Sequence, residues 1–158
     1  PPSSRKSTLN DDFGLTGEKE SLLYFYVMQK TLRFTALLGA LAVGIGAFGA
    51  HGLKALVGAE QLEIFNTGVR YHFYHVLAMG LALGLWDRSG INAAQLRRAC
   101  WAWGLGIILF SGSLYLLSLR EVVAVPVRLL GPTTPLGGLS FILGWVFLFL
   151  AASTKAND

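Results

Sequence analysis

The chain has 158 residues, of which 53% are apolar, with a formal net charge of +4 and a mean hydropathy of +0.53. The apolar share exceeds that of ordinary globular domains, so a soluble enzyme of this size is not the expectation, and the basic excess is too modest to point to nucleic acid. Cys100 is the sole cysteine, which excludes an internal disulfide and leaves a small apolar packing residue as its reading.

The chain opens Pro1-Pro2 without an initiator Met, which suits either a cleaved presequence, as in mitochondrial import, or a sequence that starts within a longer chain. Residues 1 to about 20 are polar, with Asp11, Asp12, Glu18, Lys19 and Glu20. They carry too little apolar surface to offset the entropy of ordering, so they are expected to be disordered unless a partner holds them. Residues 22–28, Leu-Leu-Tyr-Phe-Tyr-Val-Met, are too short to cross a bilayer alone; they suit an interfacial helix, with Tyr24 and Tyr26 at headgroup level, or they lengthen the first helix at its entry. The extension is therefore 1–30.

Four apolar stretches follow, at about 31–53, 69–86, 99–119 and 136–152, before a tail at 153–158. Roughly 17–25 apolar residues cross the hydrocarbon core of a bilayer. None of the four has an acid or a base in its middle. The fold class is accordingly all-α and integral to the membrane: a four-transmembrane-helix bundle, 31–152, with a polar N-terminal extension.

The first span is rich in small residues. Ala36, Ala40 and Gly44 fall at four-residue spacing, as do Ala42, Gly46 and Ala50. Small residues on more than one face admit several close neighbours, so this helix is expected at the centre of the bundle. Residues 59–65 predict a short amphipathic surface helix, and Asn66-Thr67-Gly68 a restart with Thr67 as N-cap of the second span. Asp87-Arg88-Ser89-Gly90 predicts a turn, with Asp87 and Arg88 as an ion pair. Asn92 followed by Gln95 predicts a capping box opening the third helix. Gly131-Pro132 predicts a turn, and Thr134-Pro135 an N-cap with proline at the first helical position.

Four crossings place both termini and the middle loop on one side. That side carries Lys30, Arg33, Arg88, Arg97, Arg98 and Lys155, against Lys54, Arg70, Arg120 and Arg128 on the other. The six-to-four bias favours termini inside, in the cytoplasm or the mitochondrial matrix. Trp86, Trp101 and Trp103 are expected as an aromatic belt at that face.

Polar side chains gather near the opposite side: His51, His72 and His75, then Arg70, Ser111 and Tyr115. Ionisable groups at membrane depth are costly and are default site candidates. Three readings compete for them. Interhelical hydrogen bonding is favoured, because membrane bundles use such residues as glue. A pocket for a quinone or lipid head group, with Arg70 near an anionic head group, comes second. A metal or haem site comes last, since no Cys and few carboxylates accompany the histidines. Gly44-Ile45-Gly46-Ala47-Phe48-Gly49 matches G-x-G-x-x-G but lies inside a span, so it is no nucleotide site. No catalytic residue, metal or cofactor is assigned.

Several segments together resemble a known family: Gly46-Ala47-Phe48-Gly49-Ala50-His51-Gly52-Leu53, Phe65-Asn66-Thr67-Gly68-Val69-Arg70-Tyr71-His72-Phe73-Tyr74-His75, Leu109-Phe110-Ser111-Gly112-Ser113-Leu114-Tyr115 and Gly131-Pro132-Thr133-Thr134-Pro135-Leu136-Gly137-Gly138. They are similar, in order, to the domain of unknown function 423, the transmembrane protein 256-like small membrane proteins. The resemblance implies a four-helix membrane protein and no settled activity. Taken with the extension, it leads to an expected non-catalytic accessory subunit of a larger membrane complex, placed by inference in a respiratory complex of the mitochondrial inner membrane with both termini in the matrix. The expected partners are other transmembrane subunits and phospholipids such as cardiolipin, with no nucleic acid.

Overall fold

A computed structural model describes residues 4–124 and 127–152, and among these every regular element is helical. Helix α1 spans Ser4–His51, a short 3-10 turn Leu53–Ala55, α2 Ala59–Gly84, α3 Ala93–Gly106, α4 Gly112–Ser118 and α5 Val127–Ala152. A π-helical turn, Ile107–Ser111, joins α3 to α4, so the two form one rod. The protein is thus an up-and-down bundle of four rods. By length and composition Glu18–Ala55, Ala93–Ser118 and Leu130–Ala152 qualify as membrane spans.

The fourth rod, α2, does not qualify alone, because it carries Glu60, Glu63, Arg70, His72 and His75. Of these, His72 and His75 are buried against the neighbouring rods, while Glu60, Glu63 and Arg70 stay exposed toward the start of the helix. Gln61, Phe65, Gly68, His72, His75, Met79 and Ala82 are buried at alternating spacings of four and three, a seam of the kind that packs antiparallel helices.

Several expectations are corrected. The polar segment from Ser4 is helical and continuous with α1, so residues 4–30 are the first turns of one 48-residue helix, and of the two readings of 22–28 the lengthened first helix is the one seen. Residues 1–3 and the tail 153–158 lie outside the described residues. The predicted surface helix at 59–65 likewise belongs to α2. Thr67 is no cap: its hydroxyl donates to the Glu63 carbonyl at 3.0 Å, which keeps the helix unbroken. Gly68 is a close approach rather than a break, since a Cβ there would stand 2.8 Å from the Tyr115 ring. Pro132 and Pro135 lie inside α5, so neither the Gly131-Pro132 turn nor the Thr134 cap forms. Hydroxyls cluster where those prolines remove backbone donors: Thr133 Oγ1 donates to the Leu130 carbonyl, and Thr134 bonds Ser113 at 2.7 Å.

Helix α1 is not central. One stripe is buried, Thr31, Thr35, Leu38, Ala42 and Gly49, while Ala36, Ala40 and Gly44 face outward. The centre is the α3–α4 rod. At Gly104 it receives Phe34 of α1, and at Gly106 it receives Phe141 of α5. In return Gly137 and Gly144 of α5 receive Phe110 and Trp103. Trp86 and Trp103 are core residues, 3% and 0% exposed, so the expected belt reduces at that face to Trp101. Cys100 is buried beside them as a packing residue.

One local expectation holds in half and another in full. Asn92 caps α3, its Oδ1 accepting the Gln95 N–H at 3.1 Å, but the box does not close, because the Asn92 N–H donates to the Ala151 carbonyl and Gln95 Oε1 accepts from Arg98. The 87–90 turn forms around Gly90, at φ +81°. Asp87 pairs differently, accepting a hydrogen bond from the Tyr24 hydroxyl, which also donates to the Trp86 carbonyl at 2.8 Å. With the Asn92 N–H donating to the Ala151 carbonyl, this ties α1, the α2–α3 turn and the end of α5 into one end of the bundle. The part of α1 that precedes Tyr24 runs on past that end.

Candidate functional site

At the opposite end α2 and the α3–α4 rod are clasped by polar contacts. Gln61 donates to Glu121, and Arg120 faces Glu60 at 3.5 Å. Arg70 is occupied by Glu63 at 2.6 Å and by Thr67 at 2.9 Å, on an exposed face. It is a surface ion pair one turn outside the buried group, worth little to stability.

Beneath this clasp the bundle brings together three of the six candidates. His72 Nδ1 lies 3.1 Å from the Tyr115 hydroxyl, joining α2 to α4. The His72 ring also approaches the Leu38 backbone on α1, too loosely to satisfy Nε2. Ser111, fully buried in the π turn, lies one turn before Tyr115 and reaches its hydroxyl without a full hydrogen bond. The π turn decides this placement. A single wide turn rotates the helix after it and brings Tyr115 round to His72. Such a polar group, spanning three rods and 2% exposed at His72, fits the glue reading.

His75 stands apart from that group. Its Nδ1 meets the Tyr71 carbonyl at 2.8 Å, so Nδ1 carries the proton and Nε2 is an acceptor. The ring lies flat on Phe141, with centroids 3.5 Å apart and planes 4° apart. Beside it a groove of about 570 Å³, lined by Tyr71, Tyr74, Phe110, Phe141 and Trp145, lies between α2 and α5. His51 is exposed in the last turn of α1 and takes no part in either arrangement. Among the described residues no three His, Cys, Asp or Glu side chains converge as a metal site would require.

Sequence reasoning passed over the aromatic wall. Phe141 and Trp145 lie four apart, as do Tyr71 and His75, so each pair shares a helical face. That spacing was visible. Which face of α5 meets α2 was not, because it depends on Gly137 and Gly144 seating α5 against the central rod.

A family model described as a protein of unknown function, DUF423, matches residues 45–138, which include all six candidates. The chain is similar to the UPF0382 membrane protein YwdK of Bacillus subtilis, 44% identical over 118 residues, covering 74% of this chain and 90% of the relative. It is similar also to the UPF0382 membrane protein SERP0230 of Staphylococcus epidermidis, 42% identical, covering 73% and 88%. The UPF0382 inner membrane protein YgdD of Escherichia coli is 38% identical over 128 residues, covering 77% and 87%. No solved structure matches.

Proposed function

Since this chain belongs to the DUF423 family of integral, multi-pass membrane proteins, we propose that it is a non-catalytic packing subunit that seats against other transmembrane chains and holds phospholipid between them. The observation that carries the reading is α1. It is packed along one stripe only, and its outward face carries Ala36, Ala40 and Gly44, where a Cβ on Gly44 would meet nothing within 4 Å. Small residues facing outward let a second helix approach closely, whereas lipid alone gives no reason to keep them small. The exposed run Leu22, Leu23, Phe25 and Tyr26 extends the same helix toward a partner beyond the bundle. The bacterial relatives supply no support for the mitochondrial respiratory host that the sequence suggests; the role is proposed for whichever membrane holds the chain.

The test is purification of the native chain in mild detergent. Co-migration with other transmembrane chains, far above its own 17.1 kDa, is expected. Gly44→Leu should release those chains while leaving the bundle folded. A free, monodisperse chain would end this reading.

The His75 groove favours a second reading, binding of a small amphipathic molecule such as a quinone or a lipid head group. A bare ring acceptor on an aromatic wall fits the reduced, quinol form best, since it combines a flat ring with a hydroxyl donor. A short-chain quinone or quinol that quenches tryptophan fluorescence in the native chain and not in His75→Phe supports it. Equal quenching in both removes it.

A further inference from the structure

Arg97 and Arg98 stand side by side in the second turn of α3, both exposed. Among the described residues neither forms an ion pair; the two bridges found, Arg70–Glu63 and Arg120–Glu60, are at the other end of the bundle. Arg98 touches only the neutral Gln95, at 3.3 Å. Glu20 borders an adjoining groove with Arg97 but makes no bridge to it. Two guanidinium groups at the membrane boundary thus have no counter-charge from the described part of this chain.

From them a groove of about 450 Å³ runs between α3 and α5, past Trp101, Leu105, Leu143 and Phe147. Its one hydroxyl, on Ser140, is already spent on the Ala102 carbonyl at 2.8 Å, so the groove is apolar below the arginines. Trp101 is 59% exposed and stacks on Phe34 of α1 with centroids 5.5 Å apart, which holds an amphipathic ring at headgroup level. Paired cations above, an aromatic anchor beside them and a greasy channel beneath have the charge and shape of one kind of molecule.

We infer that this groove seats an anionic glycerophospholipid, its phosphate held by Arg97 and Arg98 and one acyl chain lying along Leu105, Leu143 and Phe147. Guanidinium matches phosphate oxygens in pairs and is cheaply desolvated. A zwitterionic lipid offers the same phosphate, but its own cation cancels the charge the arginines would meet. The inference deepens the lipid-holding part of the proposed function and rests on it, while leaving the docking of protein chains on α1 independent.

The test uses the full chain in neutral detergent, with phosphatidylglycerol or phosphatidylcholine added and retained lipid counted by native mass spectrometry. Phosphatidylglycerol should be retained over phosphatidylcholine by about fivefold for each arginine engaged. Arg97→Gln with Arg98→Gln should bring the ratio close to one, and Leu143→Trp, which keeps both charges and fills the channel, should lower retention of both lipids. Arg120→Gln, at the far end, should change nothing. A native ratio near one overturns the inference, as does an unchanged ratio in the double variant or an equal loss in Arg120→Gln. Co-migration of partner chains with the double variant would show the docking reading standing while the lipid site falls.

Discussion

At the scale of single residues, the His72–Tyr115 contact is where hydrogen-bond chemistry and fold meet. It joins α2 to α4, and Ser111 and His72 are too deeply buried for solvent to replace a lost partner. Tyr115→Phe should therefore destabilise the bundle by about 1 kcal/mol, the usual worth of an interhelical hydrogen bond in a membrane, as read from unfolding in a denaturing detergent. Were the group a binding site instead of glue, the same change would leave stability alone and abolish ligand uptake. Arg70→Gln should stay within about 0.5 kcal/mol of the native chain, because the Arg70–Glu63 bridge is exposed on both sides. The histidines, Ser111 and Tyr115 were legible as a polar group near one end. Their division into a closed group at His72 and an aromatic shelf at His75 was not, since that depends on the π turn and on the Phe141 ring.

At the scale of elements, glycines set the distances between rods. Gly137 faces the backbone of Phe110, which cannot rotate aside, so a methyl group there must push α5 off the central rod. Gly137→Ala should cost about 1–3 kcal/mol. Gly80→Ala, where a Cβ meets nothing within 4 Å, should be neutral or stabilising by up to about 1 kcal/mol. The two variants differ by the same methyl group, so opposite signs in one unfolding assay would isolate helix approach from helix propensity. Asn92→Ala removes the cap on α3 and should cost about 1 kcal/mol. Caps of this kind are local, which is why Asn92 could be read from the sequence. Helix starts inferred from Thr67 and Thr134 failed for the complementary reason. Each hydroxyl sits within a continuous helix, Thr67 on the Glu63 carbonyl of its own helix and Thr134 on Ser113 of the neighbouring rod.

At the scale of the whole molecule, the chain divides its surface by role. Helix α2 hides its two histidines inside, the α3–α4 rod packs against α2 and α5 while leaving Trp101, Leu105 and Ile108 exposed, and α1 and α5 present the long apolar faces. The docking and lipid proposals use different parts of that surface, α1 for one and the α3–α5 groove for the other. A variant that fills Gly44 should thus release partner chains without changing lipid retention. Loss of both together would mean that lipid bridges the chain to its neighbours.

Hydropathy and length determined three rods of this membrane bundle, because a bilayer admits few structures and each needs a long apolar run with its backbone bonded internally, whereas α2 falls short in hydropathy and takes its place from its neighbours. The family resemblance was likewise written in residues adjacent along the chain. Which rod is central, which tryptophans are buried, and that Arg70 is occupied while Arg97 and Arg98 are not were decided by tertiary structure. In hydrocarbon a lipid-facing leucine and a buried one look alike in sequence, and only the fit of rings against glycines across the rods separates them.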